Sequence, residues 1–266
     1  MTILPELWPF PRPRVLLTDL DDTLLDGGRL RASVVGALES LQDAGVSVVV
    51  VTGRPATWAH VMASQWPIFG ALGENGCIAY RRIDRSLVVH DDASGPVRAE
   101  RRARLESLRT AVRIAFPSLR EASDAEGRLT DRTWDIGESL SLPRSEVDAL
   151  AAFVRASGAR VSTSSIHLHA TFDMHDKATG SLAFLHRELG IDPGRALAEV
   201  PFVGDSGNDR PCFSAFERTV GVANIASHVA ELARTPRFRT RAPRAEGFIE
   251  LARALLARGK PPAHAG

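Results

Sequence analysis

The residues able to do chemistry stand in four short clusters. The first, Asp19-Leu20-Asp21-Asp22-Thr23, directly follows the apolar run Val15-Leu16-Leu17. Three acidic side chains in four residues repel one another unless a cation, a lysine or helix N-termini offset the charge. Asp and Thr also begin helices, so this cluster alone reads either way. The second cluster, Thr52-Gly53-Arg54, follows Val48-Val49-Val50-Val51. The third is Lys177, the only lysine before Lys260 in a chain that otherwise uses arginine. A compact ammonium is thereby singled out at the head of a helix-like run. The fourth is Gly204-Asp205-Ser206-Gly207-Asn208-Asp209, after Phe202-Val203. Taken singly, Thr52 is a strand end, Lys177 a surface residue, and the last cluster a turn.

The segments that must position these clusters alternate strand and helix. Short apolar runs bounded by turn residues read as buried strands of a parallel sheet. Such sheets bind ligands at the carboxyl ends of their strands. Residues 33–44 predict a helix with Val34, Val35, Leu38 and Leu41 on one face, and 47–52 a second strand, giving a right-handed crossover. Pro55 suits the first turn of a helix reaching about residue 65, and 68–72 predict a third strand ending in Gly73-Glu74-Asn75-Gly76. From Met174 the pattern resumes: helix 178–189 stopped by Gly190, strand 200–203, helix 209–216, strand 219–222, and closing helices at 225–233 and 248–257. The expected fold class is α/β, a doubly wound, Rossmann-like parallel sheet.

Between these halves the pattern changes. Residues 78–80 and 87–90 predict a hairpin around Asp84-Arg85. Residues 97–115 predict an arginine-rich helix stopped by Pro117. A strand is expected within 128–136, then a helix capped by Ser145 with Asp148 at its third position, then a hairpin from 160–162 to 166–171. Parallel strands need helical crossovers, not hairpins. Residues 82–173 are therefore read as an inserted α+β domain, leaving 1–81 and 174–266 as the two parts of the core.

Composition excludes several classes. The formal net charge is +1, so no global field argues for nucleic acid or a membrane surface. The arginines of 97–115 are interrupted by Glu100 and Glu106 and read as a solvated face. No stretch approaches the ~18 apolar residues of a membrane span, and the proline-rich start lacks the pattern of a secretory signal. It reads as an extended lead-in, and 259–266 as a loose tail. Cys77 and Cys212 make neither a disulfide framework nor a zinc set. They read as core thiols in a reducing cytoplasm. The sequence carries no signal for an oligomeric state.

In this order the four clusters resemble the four motifs of the haloacid dehalogenase superfamily, most of whose members are phosphatases. The likeness runs over nearly the whole chain. The insertion resembles the large cap of the superfamily's Cof-like branch, as in sucrose-phosphate phosphatase, mannosyl-3-phosphoglycerate phosphatase and phosphomannomutase. The resemblance implies a cytoplasmic, magnesium-dependent phosphatase of small phosphate monoesters that works through an aspartyl phosphate. It implies Asp19 as nucleophile and Asp21 as acid, then base. Mg2+ would be held by Asp19, Asp205 and the backbone carbonyl of Asp21; oxygen donors suit that hard ion. Thr52 and Lys177 would hold the phosphoryl oxygens, with Gly53 and Asn208 near them and Ser206 and Asp209 behind. Asp22 replaces the glycine usual in the Cof-like branch and reads as a turn or capping residue.

Asp21 argues against dehalogenation, which does not use a second acid, and the ion-pumping relatives need membrane helices. A phosphomannomutase-like mutase uses the same motifs and stays open, as does a nucleotide or cofactor phosphatase. A non-enzymatic sugar-phosphate-binding protein would be expected to have lost motif residues. Substrate contacts are expected among Arg54, Glu74, Asn75, Arg128, Asp131, Arg132, Trp134, His167 and His169. Glu74-Asn75-Gly76 resembles the sugar-phosphatase members, so a sugar phosphate is favoured.

Overall fold

The structure is a computed structural model that describes residues 1–164 and 166–259. Its centre is β2 (Val15–Thr18), fully buried, with side chains pointing alternately to two hydrophobic clusters. Leu16 enters one with helices α1 (Ala32–Asp43), α2 (Ala56–Gln65) and α8 (Arg244–Leu256). Val15 and Leu17 enter the other with α5 (Lys177–Leu189), α6 (Pro193–Glu199) and α7 (Arg210–Ala215). Helices on both faces make the sheet doubly wound and explain why its strands are apolar without alternation.

To one side of β2 lie β3 (Ser47–Val51) and β4 (Gly70–Gly73), to the other β10 (Pro201–Gly204), β11 (Arg218–Gly221) and β12 (Phe238–Arg239), all parallel. The strand β1 (Thr2–Ile3) pairs with β12, so part of the lead-in closes the sheet edge. Because the chain leaves β2 first to one side and later to the other, the sheet has its switch point there. A crevice opens at that point at the carboxyl ends of the strands.

A second sheet, antiparallel with three strands, is made from β7 (Asp131–Asp135), β9 (His167–Thr171) and β8 (Arg160–Thr163). Helices α3 (Gly95–Ala115) and α4 (Arg144–Ala156) cover it, burying Leu108, Val112, Leu150, Val154, Trp134 and Leu168 in a core of their own. At the joint between the sheets Arg98 donates through Nη1 to Asp173 (2.6 Å) and through Nε to Asp91 (2.8 Å).

Four expectations need correction. The hairpin β5 (Ile78–Ile83) and β6 (Ser86–Asp91) pairs antiparallel onto β4 and extends the larger sheet; a boundary at residue 82 would cut β5. Ser145 does not cap α4: Pro143 holds the N-cap position without a side-chain cap bond, and Ser145 lies within the first turn. Residues 225–233 form two short 3-10 turns, at Ala223–Ser227 and Val229–Glu231, rather than a helix. Helix α6 was not expected; Asp192 caps it, accepting from Gly194 and Arg195 N–H, and Pro193 stands at its first position. The tail expected at 259–266 lies, beyond Gly259, outside the described residues.

Candidate active site

Asp19 follows β2, Thr52 follows β3 and Asp205 follows β10, so three adjacent parallel strands deliver them to one end of the sheet. Lys177 arrives from the other direction, as the first residue of α5. Asp176 caps that helix, accepting from the N–H groups of Ala178 and Thr179 in a capping box with Thr179. Gly76 and Gly180 touch backbone to backbone where α5 docks; a Cβ on either would collide with the other segment. The lysine side chain is thus fixed at its base, and it is wholly buried.

Its ammonium donates to Asp19 Oδ1 at 2.6 Å, to Asp209 Oδ1 at 2.7 Å and to Asn208 Oδ1 at 3.2 Å. The other oxygen of Asp209 accepts from the N–H groups of Asp205 (2.9 Å) and Ser206 (3.2 Å), so both oxygens of this carboxylate are engaged. Ser206 donates to Asn208 Oδ1 (2.9 Å), which turns the Asn208 amide N–H groups outward. Asn224, just past β11, donates to Asp205 Oδ2 (2.9 Å) and to the carbonyl of Asp22 (3.2 Å). Asp19 Oδ2 and Asp205 Oδ1 receive no hydrogen bond from the described residues.

Asp19, Asp205 and Asp209 each offer an oxygen within 4.8 Å of the others. Burial raises the pKa of both Asp19 and Asp205, and repulsion from the neighbouring carboxylates raises them further. Burial opposes the Lys177 charge, yet Asp19 and Asp209 outweigh it and hold the ammonium above its ordinary value. One ammonium cannot neutralise three carboxylates. A cluster of oxygen donors left negative is a fitting seat for a small hard cation.

Asp21 behaves differently from Asp19 two residues earlier. Its side chain is 42% exposed, outside the carboxylate cluster, and takes a bidentate contact from Arg54 (Nη2–Oδ1 2.8 Å, Nε–Oδ2 3.0 Å). Thr52 is buried, and its hydroxyl oxygen accepts from Arg54 N–H at 3.0 Å. Asp22 takes a left-handed turn conformation (φ 51°) and pairs with Arg244 at 3.1 Å.

A cleft of about 250 Å³ opens above this floor. Its roof is the smaller sheet, through Arg128, His167, His169 and the β8–β9 turn residues Ser164 and Ile166. Gly27 and Gly28, the positive-φ tip of a two-residue turn closed by Asp26 and Arg29, form one side. The sequence reading missed Ser164, Ile166 and both glycines. The Gly-Gly pair was a legible turn signal, whereas nothing local marks Ser164 or Ile166.

The expected substrate contacts divide. Arg54, Arg128, His167 and His169 line the cleft, while Glu74, Asn75 and Asp131 line a smaller neighbouring one of about 70 Å³. Arg128 is paired with Asp124 (2.9 Å) and Asp131 (3.0 Å) and donates to the Gly53 carbonyl (3.1 Å). His167 pairs with Glu138 at 3.0 Å. Two candidates are placed elsewhere, and Glu74 has its acceptors taken. Trp134 is buried in the core of the smaller sheet. Arg132 pairs with Glu106 on α3. Glu74 is 1% exposed and accepts from the backbone N–H groups of Ala56, Leu129, Thr130 and Asp131, so its acceptor capacity is used in fastening the roof to the floor.

Comparisons with known proteins agree with this architecture. Residues 16–95 match a family model described as haloacid dehalogenase-like hydrolase. A phosphoglycolate phosphatase of Methanothermobacter thermautotrophicus is 27% identical over 247 residues, 91% of this chain and 99% of the relative. Among solved structures, a Thermoplasma acidophilum protein superposes with a TM-score of 0.69 at 18% identity, covering 91% of this chain and 98% of that one. The sucrose-phosphatase of Synechocystis superposes at 0.67, with 18% identity, 92% and 98% coverage.

Proposed function

We propose that this chain, which belongs to the haloacid dehalogenase-like hydrolases, is a magnesium-dependent phosphatase that cleaves a small phosphate monoester, a sugar phosphate, through an aspartyl-phosphate intermediate. The observation that carries the reading is the pair of open carboxylate oxygens, Asp19 Oδ2 and Asp205 Oδ1, beside a buried lysine at the bottom of the cleft.

Asp19 is fixed by Lys177 through one oxygen and presents the other to the cleft, the arrangement a carboxylate nucleophile needs. Attack on phosphorus forms the Asp19 oxygen–phosphorus bond and breaks the ester bond. Asp21, two residues on, is the acid that gives a proton to the leaving oxygen. It later takes one from the water that opens the acyl phosphate. Such acid–base help is worth about 10²- to 10⁴-fold. Lys177, the Thr52 hydroxyl, the Gly53 N–H and the Asn208 amide are donors for the phosphoryl oxygens, the kind of stabilisation that dominates phosphoryl transfer. A magnesium ion on Asp19, Asp205 and the Asp21 carbonyl would supply the positive charge that lets a phosphate dianion approach a carboxylate. Residues 92–173 act as a cap that excludes water and selects the ester.

A sugar is favoured over a carboxylated ester by the charge of the lining. The described cations there, Arg54 and Arg128, are already paired with Asp21, Asp124 and Asp131. The second reading, phosphoglycolate, is favoured by the names of the curated relatives. A panel of sugar phosphates, phosphoglycolate and nucleotides, assayed with magnesium and with EDTA, tests both. Magnesium-dependent release of phosphate, fastest from a sugar phosphate, is expected. Transfer of phosphate between two positions of one sugar, without release, would make it a mutase.

A further inference from the structure

We propose that His169, on the roof of the cleft, reads a hydroxyl group of the substrate by accepting a hydrogen bond at Nε2. The inference rests on the phosphatase reading above and adds the class of group recognised. His169 lies on β9, inside the antiparallel ladder with β7, where its partner is Thr133. Its Nδ1 is 3.1 Å from Asp131 Oδ2 and 3.0 Å from the Thr133 hydroxyl. Asp131 is itself held as a carboxylate: Arg128 spans both its oxygens, and its pKa lies below the ordinary value although burial works against that.

A carboxylate accepts, so Nδ1 must carry the proton and donate it to Asp131. Burial also lowers the pKa of His169, with Asp131 opposing and Arg128 and His167 adding to the effect, which favours a neutral ring. A neutral ring protonated at Nδ1 has a bare Nε2, a pure acceptor. Nε2 has no partner among the described residues. The Cε1 edge beside it faces the catalytic loop, 3.5 Å from where a Cβ of Gly53 would stand. The ring lines both the larger cleft and the smaller one next to it.

An acceptor on the roof accepts a hydrogen bond from a hydroxyl and offers nothing to a carboxylate. A site built to bond a substrate hydroxyl discriminates against analogues without one, because its own polar group is left unpaired. The orientation of the ring is inherited from the core. Glu74 holds the backbone of residues 129–131, and that segment holds Asp131 against Nδ1.

His169→Asn is the direct test, because an asparagine amide can still donate to Asp131 while nothing occupies the Nε2 position. Steady-state kinetics with magnesium are measured on glucose 6-phosphate, p-nitrophenyl phosphate and phosphoglycolate. The variant should raise KM for glucose 6-phosphate about five- to tenfold, the scale of one lost hydrogen bond. KM for the other two esters should stay within twofold. An equal change on all three, or none on the sugar ester, would overturn the assignment. Wild-type protein inactive on every ester would instead overturn the phosphatase reading. Should the variant fail to fold, ¹⁵N NMR of the wild-type histidines decides: a proton on Nδ1 and a bare Nε2 for His169 are expected, and a proton on Nε2 would end the proposal.

Discussion

On the floor of the cleft, Asp19 and Asp209 share the single ammonium of Lys177, the Asp205 side chain is bonded only by Asn224 among the described residues, and two carboxylate oxygens are left without donors. On the roof, Arg128 is matched by Asp124 and Asp131, Asp131 also by His169, and Glu74, reaching up from the end of β4, is surrounded by four backbone N–H groups and the Thr130 hydroxyl. Both regions bury charge. The floor's surplus lies in two open oxygens, Asp19 Oδ2 and Asp205 Oδ1, whereas on the roof the Asp131 and Glu74 oxygens are all bonded and Asp124 Oδ2, which has no hydrogen bond, lies 3.8 Å from Arg54 Nη1. Buried charge that is fully paired fixes geometry, whereas buried charge left unpaired is costly unless a ligand completes it. The difference separates a region built to hold something from a region built to hold its shape.

Removing the open oxygen is the severest way to break that comparison. Asp19→Asn should lower kcat by roughly 10³-fold or more, the scale of losing a nucleophile, with an unchanged circular dichroism spectrum. Activity within tenfold of wild type would remove Asp19 from the chemistry. Lys177→Arg keeps the charge but must fit a planar guanidinium into a fully buried site with acceptors at 2.6, 2.7 and 3.2 Å. A loss of roughly 10²-fold in kcat is expected by the same reckoning for displaced transition-state donors. Wild-type kinetics would remove Lys177 from the chemistry.

The surplus on the floor also predicts how the metal-free protein responds to pH. The pKa of Asp19 is raised to about 7 and that of Asp205 to about 9. The folded state therefore binds more protons than the unfolded chain above about pH 4, and stability falls as pH rises. Tm in EDTA should drop by several degrees between pH 5 and 9, and magnesium should remove most of that slope. A flat profile in EDTA would mean that the cluster is neutralised without a cation.

Where the floor is fastened to the roof, the smallest effect is expected, from Glu74→Gln. One acceptor oxygen becomes an NH2 group facing backbone N–H donors, a cost of about 1–3 kcal/mol. The roof should loosen, with KM for the best substrate raised several-fold and kcat for p-nitrophenyl phosphate within about twofold. A fall in kcat equal to that of the floor variants would place Glu74 in the chemistry.

The same contrast explains what the sequence made legible. The floor was readable because its residues come from short clusters at strand ends, where type and spacing already restrict the chemistry. The role of Asp209 as a full member of the carboxylate cluster was less so, since its neighbours depend on how β10 packs beside β2. On the roof, polarity was a poor guide. Trp134 was expected among the substrate contacts, but alternation along β7 turns it into the insertion's core. Glu74 looked like a substrate contact, but most of its partners are backbone groups 55 and more residues away. A boundary at residue 82 puts β6 and the end of β5 in the insertion because hairpins are uncommon in parallel sheets, yet β4 is the last parallel strand on that side and accepts an antiparallel partner. Ser145 had the spacing of a cap, but Pro143 fixes the chain direction first.

The central claim is that Asp19 carries the phosphoryl group while Asp21 moves the protons. A rapid acid quench of Asp21→Asn with p-nitrophenyl phosphate and magnesium tests it most directly. p-Nitrophenolate leaves without protonation, so attack by Asp19 should survive while hydrolysis of the acyl phosphate is slowed. The account predicts a burst of about one p-nitrophenolate per active site, with phosphate trapped on the peptide that contains Asp19. Turnover without a burst and with no phosphorylated peptide, or phosphate found on any other residue, would contradict it.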